Sequence, residues 1–137
     1  MEDIMKAIKD VGSLAYIVDK WDVKKSEKRH KQINYAGRCV AIPDDAAVPK
    51  STGKLVGKYE YFPDGSWKGS GTCTYTYEGG DKLNESWEED SNKGTYKTTG
   101  GTGKYEGASG GGTYTVDPKG FAEPLSGGKY NGTIELP

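Results

Sequence analysis

Apolar and polar residues alternate along most of this chain. The clearest run is SWKGSGTCTYTY, where Trp67, Gly69, Gly71, Cys73, Tyr75 and Tyr77 share one face and Lys68, Ser70, Thr72, Thr74 and Thr76 share the other. A period of two is that of a half-buried strand. The same pattern predicts strands in SLAYIVDKWDV, through Leu14, Tyr16 and Val18, and in INYAGRCVAI, through Ile33, Tyr35, Gly37, Cys39 and Ala41. LVGKYEYF places Leu55, Gly57, Tyr59 and Tyr61 together, and KLNESWEED sets Leu83, Glu85 and Trp87 against Asn84, Ser86 and Glu88. KGTYKTT, GGTYTV and GGKYNGTIEL complete a set of eight.

Between these runs lie breakers. Pro63, Asp64 and Gly65 form a tight turn in which Pro presets φ and Gly accepts a positive one. EGGD makes the next turn, PDDAAVPKSTG reads as a loop, and KKSEKRHKQ reads as a solvated loop or strand edge. Only the first twelve residues depart from period two. Ile4, Ile8 and Val11 fall at i, i+4 and i+7, Glu2 and Asp3 suit a first turn, and Gly12 suits a stop, so 1–12 is expected to be a short helix or docking tail. Eight evenly spaced short strands with Gly-rich turns give the expected fold, a single all-β domain over 1–137 closed as an antiparallel eight-stranded barrel. Gly69 and Gly71 sit in the inward row beside Trp67 and Tyr75, where missing side chains relieve crowding. Closure also removes the edges that a Thr- and Tyr-rich chain would otherwise expose.

Composition sharpens this picture. Of 137 residues, 21 are Gly, 10 Tyr and 3 Trp, while only 33% are hydrophobic, so the interior must be built from aromatics. The formal net charge of -1 provides no basic field for nucleic acid. No apolar run reaches the roughly 20 residues of a helical membrane span. The lack of a signal-peptide apolar region reads as cytoplasmic, and fits equally a mature secreted or periplasmic chain with an added Met1. Cys39 and Cys73 leave a disulfide open beside the simpler reading of two small strand residues. Self-association is also left open.

Three stretches, DGSWKGSGTCTYTY, GGTGKYEGASGGGTY and GGKYNGTIEL, resemble the bacterial relatives of allene oxide cyclase and dirigent proteins, small eight-stranded barrels similar in architecture to lipocalins. The marker is the pattern G-T-G-K/R-aromatic-x-G-A/V-x-G, here about residues 102–110, and the likeness extends over 53–136. What it implies is a barrel with an apolar or aromatic cavity open at one end, binding a hydrophobic small molecule. Enzymes of that family steer reactive intermediates through cyclisation without a metal or nucleotide cofactor.

The candidate chemistry is sparse. One His, His30, cannot build a typical zinc site with two distant cysteines. No G-x-S-x-G elbow occurs, GTGKYEG lacks the ending of a phosphate loop, and no βαβ context surrounds it. The expected ligand-binding set is Tyr59, Tyr61, Trp67, Cys73, Tyr77, Trp87, Tyr96, Tyr105 and Tyr114. These side chains either fill the barrel or line a cavity in which their hydroxyls find partners. Glu85, Tyr75 and His30 are the acid/base candidates. A carboxyl beside Trp87 in a dry interior would have a raised pKa. A register shift of one residue would turn Glu88 inward instead, and WEED otherwise reads as a solvated acidic turn.

Overall fold

A computed structural model describes residues 6–91, 93–117 and 124–137. Eight strands form one closed barrel in sequence order: β1 (Lys6–Glu27), β2 (His30–Pro43), β3 (Ser51–Tyr61), β4 (Trp67–Tyr77), β5 (Lys82–Asp90), β6 (Lys93–Gly101), β7 (Ser109–Asp117) and β8 (Ser126–Leu136). Every neighbouring pair is antiparallel, and β1 closes on β8 through a register running from Lys6↔Leu136 to Tyr16↔Ser126.

The helix expected at 1–12 is not found. Residues 1–5 lie outside the described residues, and Lys6 to Gly12 belong to β1. Ile8 and Val11 point to opposite faces of that strand, and Ile8 pairs with Ile134 across the closing seam. Local helical spacing loses here to the strand partner that the barrel supplies, since propensity is a weak prior against tertiary context. Gly12 is not a helix stop. A Cβ there would lie 2.5 Å from the Tyr130 hydroxyl and 2.8 Å from Pro43 Cα. The charged run near His30 is largely strand as well: β1 and β2 continue to Glu27↔His30, and only Lys28 and Arg29 turn the chain.

The inward rows read from the sequence hold. Ile33, Tyr35, Cys39 and Ala41 on β2 are buried, as are Cys73 on β4 and Leu83, Glu85 and Trp87 on β5. Their outward neighbours Lys68, Ser70, Thr72 and Glu88 are exposed. Glycines make room for the largest rings. A Cβ on Gly57 or Gly71 would lie 2.5 or 2.7 Å from Trp87 Cζ2, and one on Gly69 would lie 2.5 Å from Tyr59 Cε1. Trp87 can therefore lie against two bare strands, its Nε1 donating to Thr72 O at 3.2 Å.

Two clusters divide the interior along the barrel axis. The larger contains Leu14, Tyr35, Cys39, Cys73, Trp87, Tyr96 and Tyr130. The smaller gathers Leu83, Tyr105, Ala108, Ile134 and Leu136 at the end bearing the β4–β5 and β6–β7 connections. There the Gly-rich stretch forms a short 3-10 turn, Gly103–Tyr105, that tucks Tyr105 inward to 3% exposure. Among the described residues, no helix is long and apolar enough to cross a membrane.

Candidate functional site

The barrel encloses a cavity of about 220 Å3. At one end lies the cluster around Tyr105, whose ring stacks on Tyr77 with centroids 4.6 Å apart. At the other end stand Trp21, Tyr61 and Trp67, which are only partly covered, Trp21 being 43% exposed. Trp21 packs against Tyr59 and Tyr61 at 5.4 and 6.2 Å, and Tyr61 stacks on Trp67 at 6.0 Å. The lining also reaches Val48 and Pro49 of the β2–β3 loop.

Three carboxyls face this aromatic interior: Asp10 from β1, and Glu85 and Glu89 from β5. On β5 they alternate with Trp87, so acid, ring and acid share one strand face. Tyr96 donates to Asp10 Oδ2 at 3.0 Å, and Tyr59 donates to Glu89 Oε1. These contacts answer the demand that buried tyrosine hydroxyls find acceptors. Glu85 is 7% exposed and has no hydrogen bond to a described residue. Burial, the Asp10 carboxylate and Cys39 push its pKa up to about 8. Burial likewise raises Asp10 and Glu89, each partly offset by its tyrosine. Desolvation lifts the hydroxyls of Tyr16, Tyr59 and Tyr96 above their ordinary range, so they remain proton donors at neutral pH.

A bulge sets the orientation of Glu85. Register on β5–β6 passes from Asn84↔Gly100 to Glu85↔Thr98, leaving Thr99 as the extra residue, and Gly100 takes φ 135 to accommodate it. Such bulges re-aim side chains. This one keeps both Glu85 and Thr98 inward and buried, and Thr98 Oγ1 also lacks a partner. The cysteines meet across bare backbone. A Cβ on Gly53 would lie 2.6 Å from Cys39 Sγ and 3.1 Å from Cys73 Sγ. Both thiols are free, and the Cys39 thiol together with burial pushes Cys73 up. Among the described residues no three His, Cys, Asp or Glu converge as metal ligands do.

Of the expected ligand-binding residues, Tyr59, Tyr61, Trp67, Cys73, Tyr77, Trp87, Tyr96 and Tyr114 line the cavity. Tyr105 does not: it packs beneath the cavity in the closing cluster. Glu85 and Tyr75 line it, and Glu88 points outward. His30 stands apart at the β1–β2 tip, with Nε2 2.7 Å from Glu60 Oε2 and its ring stacked on Phe62 at 5.6 Å. Asp10, Glu89, Tyr16, Tyr35, Tyr130 and Trp21 also line the cavity and were not among the expected site residues. Period two does carry Asp10 with Gly12 and Leu14, and Glu89 with Glu85 and Trp87. The helical reading of 1–12 and the turn reading of WEED hid both.

Solved structures share this fold, two pterocarpan synthase dirigent proteins among them. The pterocarpan synthase dirigent protein GePTS1 superposes with a TM-score of 0.57 at 12% identity, over 96% of this chain and 90% of that one. The pterocarpan synthase dirigent protein PsPTS1 superposes with a TM-score of 0.54 at 13% identity, over 98% of this chain and 96% of that one. No protein-family model and no curated protein matches the sequence. At such identities the likeness is one of fold alone: a closed eight-stranded antiparallel barrel, here with an acid-bearing aromatic cavity.

Proposed function

We propose that this barrel binds a hydrophobic or aromatic small molecule in its cavity and performs cofactor-independent acid–base chemistry on it, an isomerisation, cyclisation or lyase step. The observation that carries this reading is Glu85, a carboxyl that is 7% exposed, makes no hydrogen bond to a described residue and lines the aromatic cavity. A solid structural barrel would have no use for such a group, because an unpartnered buried carboxyl is a cost to folding. With its pKa near 8, Glu85 carries a proton at neutral pH that it can give and take back. The aromatic walls would steer a reactive intermediate by shape and by cation–π contact. Support also comes from the solved neighbours, both named as synthases, and from the likeness of 102–110 to allene oxide cyclase relatives. A non-catalytic carrier or sensor is the second reading, favoured by Asp10 and Glu89 already being engaged by tyrosines.

Native mass spectrometry of freshly purified protein, followed by a binding screen of small aromatic compounds, tests the shared part. Wild type should hold one small molecule per chain, and Leu55→Trp, which fills the cavity from β3, should hold none while melting cooperatively. Equal retention by that variant would remove the cavity from the account. With a ligand in hand, a loss of kcat in Glu85→Gln at saturating ligand, beyond any change in binding, marks the enzyme; absence of any turnover in wild type marks the carrier.

A further inference from the structure

The charge of the cavity lining is one-sided. Asp10, Glu85 and Glu89 face inward, and no Lys, Arg or His lines the cavity among the described residues. The basic side chains near these strands, such as Lys54, Lys58, Lys68 and Lys97, occupy the outward rows and are exposed. Two of the three acids are held by tyrosine hydroxyls, and the third, Glu85, is not held at all. Buried carboxylates are ordinarily paired with a cation or hydrogen-bonded. Here the chain supplies no cation, and for Glu85 no donor either.

We infer that the ligand supplies it: the cavity takes an organic cation, a small amine with an aromatic or apolar body, its ammonium against Glu85 and Asp10 and its body against Trp87. This rests on the reading that the cavity binds a small molecule, and names the class. Trp87 lies between Glu85 and Glu89 on one strand face, which sets an aromatic ring beside the charge. A cation near an indole gains further when desolvated. The volume, about 220 Å3, equals that of roughly seven waters, so the body is one or two rings. The titratable groups coupled to Glu85 are Asp10 from β1, Cys39 from β2, Cys73, Tyr75 and Tyr77 from β4, Tyr96 from β6 and Tyr130 from β8. None can carry positive charge. An ammonium beside Glu85 favours its carboxylate form, so binding promotes loss of the Glu85 proton to solvent and leaves Glu85 as a base.

The test uses three probes of one size on the whole protein: 2-phenylethylamine, 2-phenylethanol and phenylacetate, titrated calorimetrically at pH 7 in two buffers of different ionisation enthalpy. The amine should bind at least tenfold more tightly than the alcohol, the carboxylate should not bind, and amine binding alone should release close to one proton. In Glu85→Gln the amine's advantage over the alcohol should shrink to threefold or less and proton release should vanish. If that variant does not fold, the ratio of amine to alcohol affinity in wild type decides by itself. Alcohol or carboxylate binding as tight as the amine overturns the cation inference while leaving the cavity reading intact. Failure of all three probes, together with no retained molecule in native mass spectra, overturns the cavity reading and the inference with it.

Discussion

Glu85 joins two properties that proteins usually keep apart, deep burial and the absence of a partner. Its ordinary pKa is 4.5 and its folded value is about 8, so the folded chain holds a proton that the unfolded chain has already lost. Stability from this group is complete below pH 4.5 and is lost as pH rises through 8. At about 1.4 kcal/mol per pH unit the loss is on the order of 5 kcal/mol. Denaturant melts at pH 5 and pH 9 should show wild type weaker at pH 9 and Glu85→Gln losing much less; equal losses in both would mean that Glu85 ionises freely. Gly71 makes the opposite demand, for no side chain at all. A Cβ there would lie 2.7 Å from both Gly57 Cα and Trp87 Cζ2 and would also meet the Val56 carbonyl. Gly71→Val should cost about 3 kcal/mol, and a neutral melt would show the Trp87 wall to be loose. Period two through WKGSGTCTY and KLNESWEE set Gly71 and Glu85 in the inward rows, although for Glu85 the sequence left a one-residue register shift open. Asp10 was not legible in the same way, since nothing in MEDIMKAIKDVG states that its strand partner is Gly132, near the other end of the sequence.

Among the elements, the 3-10 turn at Gly103–Tyr105 is the one whose glycines most need a counterweight. Gly103 and Gly107 hold positive φ, and ordering such backbone costs about 1 kcal/mol or more per residue. Tyr105 offsets it by burying its ring among Leu83, Ala108, Ile134 and Leu136. Tyr105→Ala should destabilise the barrel by about 3 kcal/mol. It should also speed hydrogen exchange at the amides of Tyr105, Glu106 and Ala108, which donate to Thr102, Gly103 and Tyr105 carbonyls. Unchanged exchange would show the turn to stand without its anchor. That a Gly-rich rim with a tucked tyrosine lay at 100–112 could be read from the spacing. That the tyrosine closes the barrel rather than lining the cavity could not, because depth along the axis depends on the shear of all eight strands.

At the scale of the whole molecule, the seven hairpin pairings join strands consecutive in sequence, and one pairing does not. The β1–β8 seam joins Lys6 to Leu136, and with it Asp10 to its place facing β5 and β6. Closing so long a loop is the slowest kind of contact to reward, since its entropy is lost before its bonds form. The barrel should thus cross its folding barrier as an open sheet of hairpins and zip the seam afterwards. Thr133→Gly, on the outer face opposite Lys9, should then raise the unfolding rate about fivefold for about 1 kcal/mol and leave the folding rate nearly unchanged in a chevron plot. Slowed folding with unchanged unfolding would make closure the barrier itself. Because Asp10 arrives only with the seam, the three carboxyls come together as the final act of folding. A bound molecule should therefore lengthen the lifetime of the native barrel without hastening its formation.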